Sequence, residues 1–270
     1  MAGPSWAGKW VGVDRWWLLV ATVLAAAGGG VGWRAVARGR RSAAAVWWLA
    51  GALGCQFVFL WLRGTARGAC PLGDAGESLA FAAWSLTLFY LLVGRAYRWS
   101  PVGVITAPVV VAIQLAALLP GVLTAAPAPV AAGAGAWGEG HAATSVLSYG
   151  ALGLAAVTAA VFLVLDRQLK GRRLRSRWFR AMPPAHELLV ALARLLRLGA
   201  VVMTIGIMCG WMAMRHGPGG APAHLAAALA VWVAYLALLV VERVRGLAGR
   251  WLAWAAIVLF AGSFVVFAFI

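Results

Sequence analysis

Long apolar runs, separated by short breaks rich in arginine, glycine or proline, recur along the chain from residue 16 to its end. Eight runs stand out, at about 16–33, 43–62, 77–93, 102–123, 142–165, 195–214, 225–241 and 251–270. A helix needs about 20 apolar residues to cross the hydrocarbon core of a bilayer. None of the runs alternates polar and apolar positions as barrel strands do. The pattern therefore predicts an all-α, polytopic integral membrane protein with eight transmembrane helices. A single transmembrane domain is expected to fill residues 1–270, with both termini extracytoplasmic.

Local signals refine this map. Gly28, Gly29 and Gly30 lie inside the first run, and Pro108 and Pro120 fall near the ends of the fourth. Pro183 and Pro184 suit a helix start, and the apolar residues at 188, 189, 192, 195 and 196 recur at helical spacing. A partly interfacial helix is expected there, leading into the sixth span. Lys9 and Arg15 precede the first run in the manner of a signal peptide, but the run is read as a retained span.

Composition agrees with the class. The chain is 64% apolar and 11% charged, far below the charge of a soluble domain. Its net charge of +16 does not point to nucleic acid, because the basic residues sit in alternate loops. The densest group is Arg167, Lys170, Arg172, Arg173, Arg175, Arg177 and Arg180, opposed by Asp166. Such groups stay cytoplasmic, which places His141, at the other end of the fifth span, on the extracytoplasmic face. Under the eight-span map, 18 of the 23 basic residues fall inside. The expected location is a bacterial-type inner membrane, with anionic lipid held at the inner basic loop. Most of the 16 tryptophans lie near span ends, as in an interfacial belt. Trp6, Trp10, Trp137 and Trp211 fall on the outer side near His141, where an aromatic shelf would suit a flat macrocycle.

Candidate chemistry is sparse. Glu77 is the main ionisable residue within a span, and Gln56 and Gln114 cannot relay protons, so a pump is not expected. No internal repeat points to a transporter, and no phosphate loop, HExxH or nucleophile motif points to an enzyme. Cys55, Cys70 and Cys209 form neither CxxC nor CxxCH. Cys70 and Cys209 could meet near the outer face, or serve as small apolar residues. Of the four histidines, His141 and His224 both begin spans on the outer face. They are candidate axial ligands for haem iron, or helix-end residues meeting water. Joint ligation would require the fifth and seventh helices to be neighbours. His216 lies in the loop between the sixth and seventh spans, and His186 lies inside.

Four segments together resemble a known family. They are GESLAFAAWSLTLFYLL at 76–92, HAATSVLSYGALGLAAVTAAVFLVLDRQLKGRR at 141–173, PPAHELLVALARLLRLGAVVMTIGIMCGW at 183–211, and the terminal pattern from Trp232 to Ile270. In order and spacing they resemble the cytochrome c assembly membrane proteins, in particular the short HemX/YpjD-like branch related to CcsA and CcmC. The resemblance implies a haem-handling assembly factor that holds or presents haem b on the extracytoplasmic face. It implies His141 and His224 as metal ligands, Trp137 and Trp211 lining the ring, and Arg63, Arg67 or Arg215 pairing with propionates. The implied partners are apocytochrome c or other membrane proteins. The chain departs from the pattern in the short loop RHGPGGAPAH, where a tryptophan-rich segment is usual, and in Val240, where a histidine is often found. An accessory haem-binding role, rather than catalysis, is the expectation. The alternative is a cofactor-free structural subunit of a membrane complex.

Overall fold

The structure, a computed structural model, describes residues 12–97, 100–124, 135–171, 181–216, 222–246 and 249–268. Among these residues the regular secondary structure is entirely helical. The helices are α1 (Val13–Ala37), α2 (Ala43–Arg67), α3 (Ala75–Tyr97), α4 (Ser100–Ala117), α5 (Ala136–Lys170), α6 (Ala185–His216), α7 (Pro222–Arg245) and α8 (Gly249–Ala268). Six of them are long and apolar enough to cross a membrane. The apolar parts of α4 and α8, Pro101–Ala117 and Gly249–Phe264, are shorter. The protein is a multi-pass membrane protein.

Two elements differ from the apolar pattern for identifiable reasons. The fourth run was expected to continue to residue 123, but α4 ends at Ala117. Pro120 has no N–H to extend the helical ladder, and Gly121 adopts φ +84°, which turns the chain. Pro108, by contrast, sits inside an unbroken α4, as helices in lipid tolerate. The expected interfacial helix and sixth span are one 32-residue helix, α6. Leu188, Leu192, Leu195 and Leu196 are fully buried along one face of it, so bundle packing carries the helix past the membrane edge.

α5 is the hub. It packs on α6 most extensively, and also on α3 and α8, while α1, α2, α3 and α4 form a second group joined to it through α3. Lipid tails are as apolar as leucine, so close packing rather than hydrophobic burial holds such helices together. Small residues make that possible. A Cβ at Gly150 of α5 would collide with Ser85 of α3, and one at Gly199 of α6 would stand 2.5 Å from Leu152 of α5. The outward faces carry Val23, Val201, Met208, Val233 and Val258, all exposed. That is an exterior made for lipid.

Candidate functional site: a histidine-lined cavity beside a buried ionic cluster

α5 begins after Gly135, and His141 lies little more than one turn inside it. Its Nδ1 is 2.7 Å from the carbonyl oxygen of Gly206 on α6. A carbonyl oxygen can only accept, so Nδ1 carries a proton, and the tautomer compatible with this bond has its lone pair on Nε2. The ring needs a flat seat. A Cβ at Gly210 would stand 2.8 Å from His141 Nδ1, and one at Gly206 would stand 2.9 Å from Thr144 Oγ1. The segment Gly206-Ile207-Met208-Cys209-Gly210 therefore presents bare backbone to the first turns of α5. Thr144, which faces Gly206, donates within α5 to the Gly140 carbonyl at 2.6 Å.

Beside this seat lies a cavity of about 550 Å³, within the range of small-molecule and cofactor pockets. His141, Ser145 and Tyr149 of α5 line it, with Met203 and Ile207 of α6 and Leu225 of α7. Leu72 and Ser78, flanking the start of α3, complete the wall. α7 packs on α6 and α8 rather than on α5, and the cavity occupies the space left between α5 and α7.

The other sequence candidates distribute around it. His224 directly precedes Leu225 in α7, and its side chain, like that of His216, lies outside the described residues. Trp137 and Trp211 are half-exposed and do not contribute to the cavity lining. The Arg215 guanidinium stacks over the Trp211 ring, 4.0 Å from its centroid. Trp6 and Trp10 lie outside the described residues. Cys70 and Cys209 are both free thiols that flank the start of α5. The Cys70 N–H donates to Glu139 at 3.1 Å, and a Cβ at Gly140 would be 3.5 Å from Cys209 Sγ. Burial and the adjacent Glu139 carboxylate push the Cys70 thiol above its ordinary pKa.

Against the α3 side of the cavity stands a cluster that sequence reasoning missed. Arg63, at the end of α2, is fully buried and uses all five guanidinium donors. Nε donates to Glu77 Oε1 at 2.7 Å, Nη1 to Asp14 Oδ2 at 3.1 Å and to the Thr124 carbonyl at 3.1 Å. Nη2 donates to Asp74 Oδ2 at 3.0 Å and to Thr124 Oγ1 at 3.1 Å. One side chain thus ties together α1, α2, the start of α3 and the segment after α4. Arg63 has no donor left for a propionate, which corrects that expectation. Asp74 and Glu77 also start α3. Asp74 Oδ1 accepts from the Glu77 N–H at 2.7 Å, and Glu77 Oε2 accepts from the Gly73 N–H at 2.6 Å, close to a capping box. Arg67 pairs with Glu77 Oε2 at 3.8 Å. Burial alone would raise the Asp74 carboxyl. The Thr124 hydroxyl, the N–H groups of Glu77 and Thr124, and Arg63 outweigh it and hold the carboxyl below its ordinary value. The available signal was the spacing Asp74-x-x-Glu77 ahead of an apolar run, together with Asp14 at the head of another.

Known proteins with similar sequence fall in one group. The family described as Cytochrome C assembly protein matches residues 72–269. The cytochrome c biogenesis protein CcsA of Crocosphaera subtropica is 36% identical over 124 residues, 43% of this chain and 37% of that protein. CcsA of Nostoc punctiforme is 35% identical over 123 residues, 43% of this chain and 35% of that protein. These alignments cover little more than a third of each relative. CcsA of Synechococcus sp. (strain CC9902) is 29% identical over 231 residues, 76% of this chain and 75% of that protein. Every residue lining the His141 cavity falls inside the family match, whereas α1 and α2 fall before it. The chain belongs to the cytochrome c assembly protein family.

Proposed function

We propose that this protein holds haem in the cavity between α5, α6 and α7, on the extracytoplasmic side, as a step in cytochrome c biogenesis. The observation that carries the reading is the hydrogen bond from His141 Nδ1 to the Gly206 carbonyl. Metal-ligating histidines characteristically donate the other ring nitrogen to a carbonyl or carboxylate, which fixes the tautomer and orients the ring. The remaining nitrogen, Nε2, would hold the iron of a bound haem, and the mostly apolar cavity suits a macrocycle. His224, at the head of α7, is the candidate second ligand, across the gap that separates α7 from α5. Arg215, and Arg67 beyond its contact with Glu77, are candidate partners for the propionates, and Trp137 and Trp211 would flank the entrance. Bound haem b would supply the iron and the reactive vinyl edge of the group handed to apocytochrome c. The protein's own residues bind and orient; none of those at the cavity makes it an enzyme by itself. The inner basic segment 167–180, of which 172–180 lie outside the described residues, would hold anionic lipid headgroups.

The test is an absorption spectrum of purified protein, with and without added haemin. Wild type is expected to show a Soret band that His141→Ala loses and His186→Ala keeps. A wild type without Soret absorbance after haemin addition, or a His141→Ala variant with the wild-type spectrum, would overturn the proposal. A second reading rests on the exposure of Trp137 and Trp211 outside the cavity lining. They would then meet another membrane protein in a cofactor-free complex, and a stable larger assembly unaffected by His141→Ala would favour it.

A further inference from the structure

A second cavity, about 410 Å³, lies at the opposite end of the bundle, between α1 and α4. Along α1 it runs from Ala25 to Arg34. Nine residues of helix rise about 14 Å, close to the hydrocarbon depth of one leaflet, half of about 30 Å. The walls are apolar: Gly29, Gly30, Ala107, Pro108 and Val111. Arg34 and the Trp33 indole stand at the mouth.

The shape selects the occupant. A Cβ at Gly29 would lie 3.0 Å from Ala107 Cβ, and one at Gly32 3.0 Å from Val104 Cγ2. The two helices therefore touch along the floor of the groove. Gly30 faces the open side, where a Cβ would meet nothing within 4 Å. The charge selects it further. Arg34, Arg38, Arg40 and Arg41 are exposed, and none forms an ion pair among the described residues. At the other end Arg63 and Arg67 are neutralised by carboxylates. A groove one leaflet deep, apolar throughout and capped by unpaired arginines, matches a chain with an anionic head.

We propose that the α1–α4 groove binds an acyl chain of an anionic phospholipid, with its phosphate held by the Arg34 guanidinium. One wall of the site, α1, lies before the family match and the other, α4, lies within it; the site does not depend on haem. The guanidinium fork meets phosphate oxygens two at a time, and Arg38, Arg40 and Arg41 add field around the head. The glycines keep the groove open, since any side chain at Gly30 would enter the space the acyl chain takes.

The experiment compares delipidated wild type, Arg34→Gln and Gly30→Leu by native mass spectrometry after addition of phosphatidylglycerol or phosphatidylcholine. Wild type is expected to retain one phosphatidylglycerol about fivefold more strongly than phosphatidylcholine, the effect of a single arginine near an anionic headgroup. Arg34→Gln is expected to lose that preference, and Gly30→Leu to lose retention of both lipids. Both substitutions fall at open or exposed positions, and the melting temperature in detergent checks that the variants fold. Equal retention of the two lipids by wild type, or undiminished phosphatidylglycerol retention by either variant, overturns the proposal. So does a dimer that Gly30→Leu dissociates without loss of lipid, which would assign the groove to a second copy.

Discussion

Arg63 commits every N–H of its guanidinium to partners inside the protein, and this makes it the least replaceable residue at its end of the bundle. Removing one member of a buried ionic group leaves the others uncompensated, at a cost of about 3–5 kcal/mol. Arg63→Ala is therefore expected to lower the melting temperature in detergent sharply or to abolish monodisperse expression. Arg215→Ala, which removes a cation stacked on an exposed ring, is expected to change stability little. Similar melting curves for the two variants would show that the cluster does not hold α1, α2 and α3 together. The same cluster sets a pH limit. Asp74 has a depressed carboxyl pKa in the folded protein. A depressed pKa contributes stability that is present above the unfolded value, about 3.9, and is lost as pH falls through the folded value. Stability is thus expected to be flat near neutrality and to fall below about pH 4, with a smaller acid-side loss in Asp74→Asn. That variant should start less stable, because the amide retains one oxygen for Thr124 and loses the charge facing Arg63.

The α5–α6 pair is the element on which the site depends. Gly206 and Gly210 are one turn apart on α6, and between them they admit Thr144 and the His141 ring. A methyl at position 210 must displace either the imidazole or the helix. Gly210→Ala is expected to cost about 1–3 kcal/mol, typical of overpacking, and to reduce haem retention while leaving both candidate ligands in place. Gly54→Ala, in α2, is the matched control, since a Cβ there meets nothing within 4 Å. Equal Soret intensity in the two variants would mean that the seat does not orient His141. Much of this element was legible in the sequence, and some was not, for one physical reason. Apolar periodicity locates a helix and its buried stripe, as it did for Leu188, Leu192, Leu195 and Leu196 in α6. It does not say which neighbour the stripe meets, so the sequence GIMCG does not reveal that it seats His141. Arg63 illustrates the same limit. Its charge was read as available to a ligand because its partners lie 49, 14, 11 and 61 residues away, on elements whose adjacency only the folded bundle establishes.

At the scale of the whole molecule, the two ends differ in kind. Among the described residues around His141, Arg15, Arg63, Arg67 and Arg215 are matched in number by Asp14, Asp74, Glu77 and Glu139. At the other end Arg34, Arg38, Arg40, Arg41, Arg167, Arg194, Arg197, Arg243, Arg245 and Arg250 greatly outnumber the acids. Basic residues are retained on the cytoplasmic side during insertion, so this asymmetry argues that the arginine-rich end faces the cytoplasm and the His141 cavity faces away from it. The proposed delivery of haem to apocytochrome c requires that orientation. It is testable with single cysteines in a background where Cys55, Cys70 and Cys209 are replaced by alanine. Trp137 and Arg38 are both exposed and mark opposite ends. A membrane-impermeant maleimide added to intact spheroplasts is expected to label Trp137→Cys and to label Arg38→Cys only after permeabilisation. The reverse pattern would turn the protein over in the membrane. The cavity would then open toward the cytoplasm, and haem held at His141 would sit on the side from which it has yet to be exported.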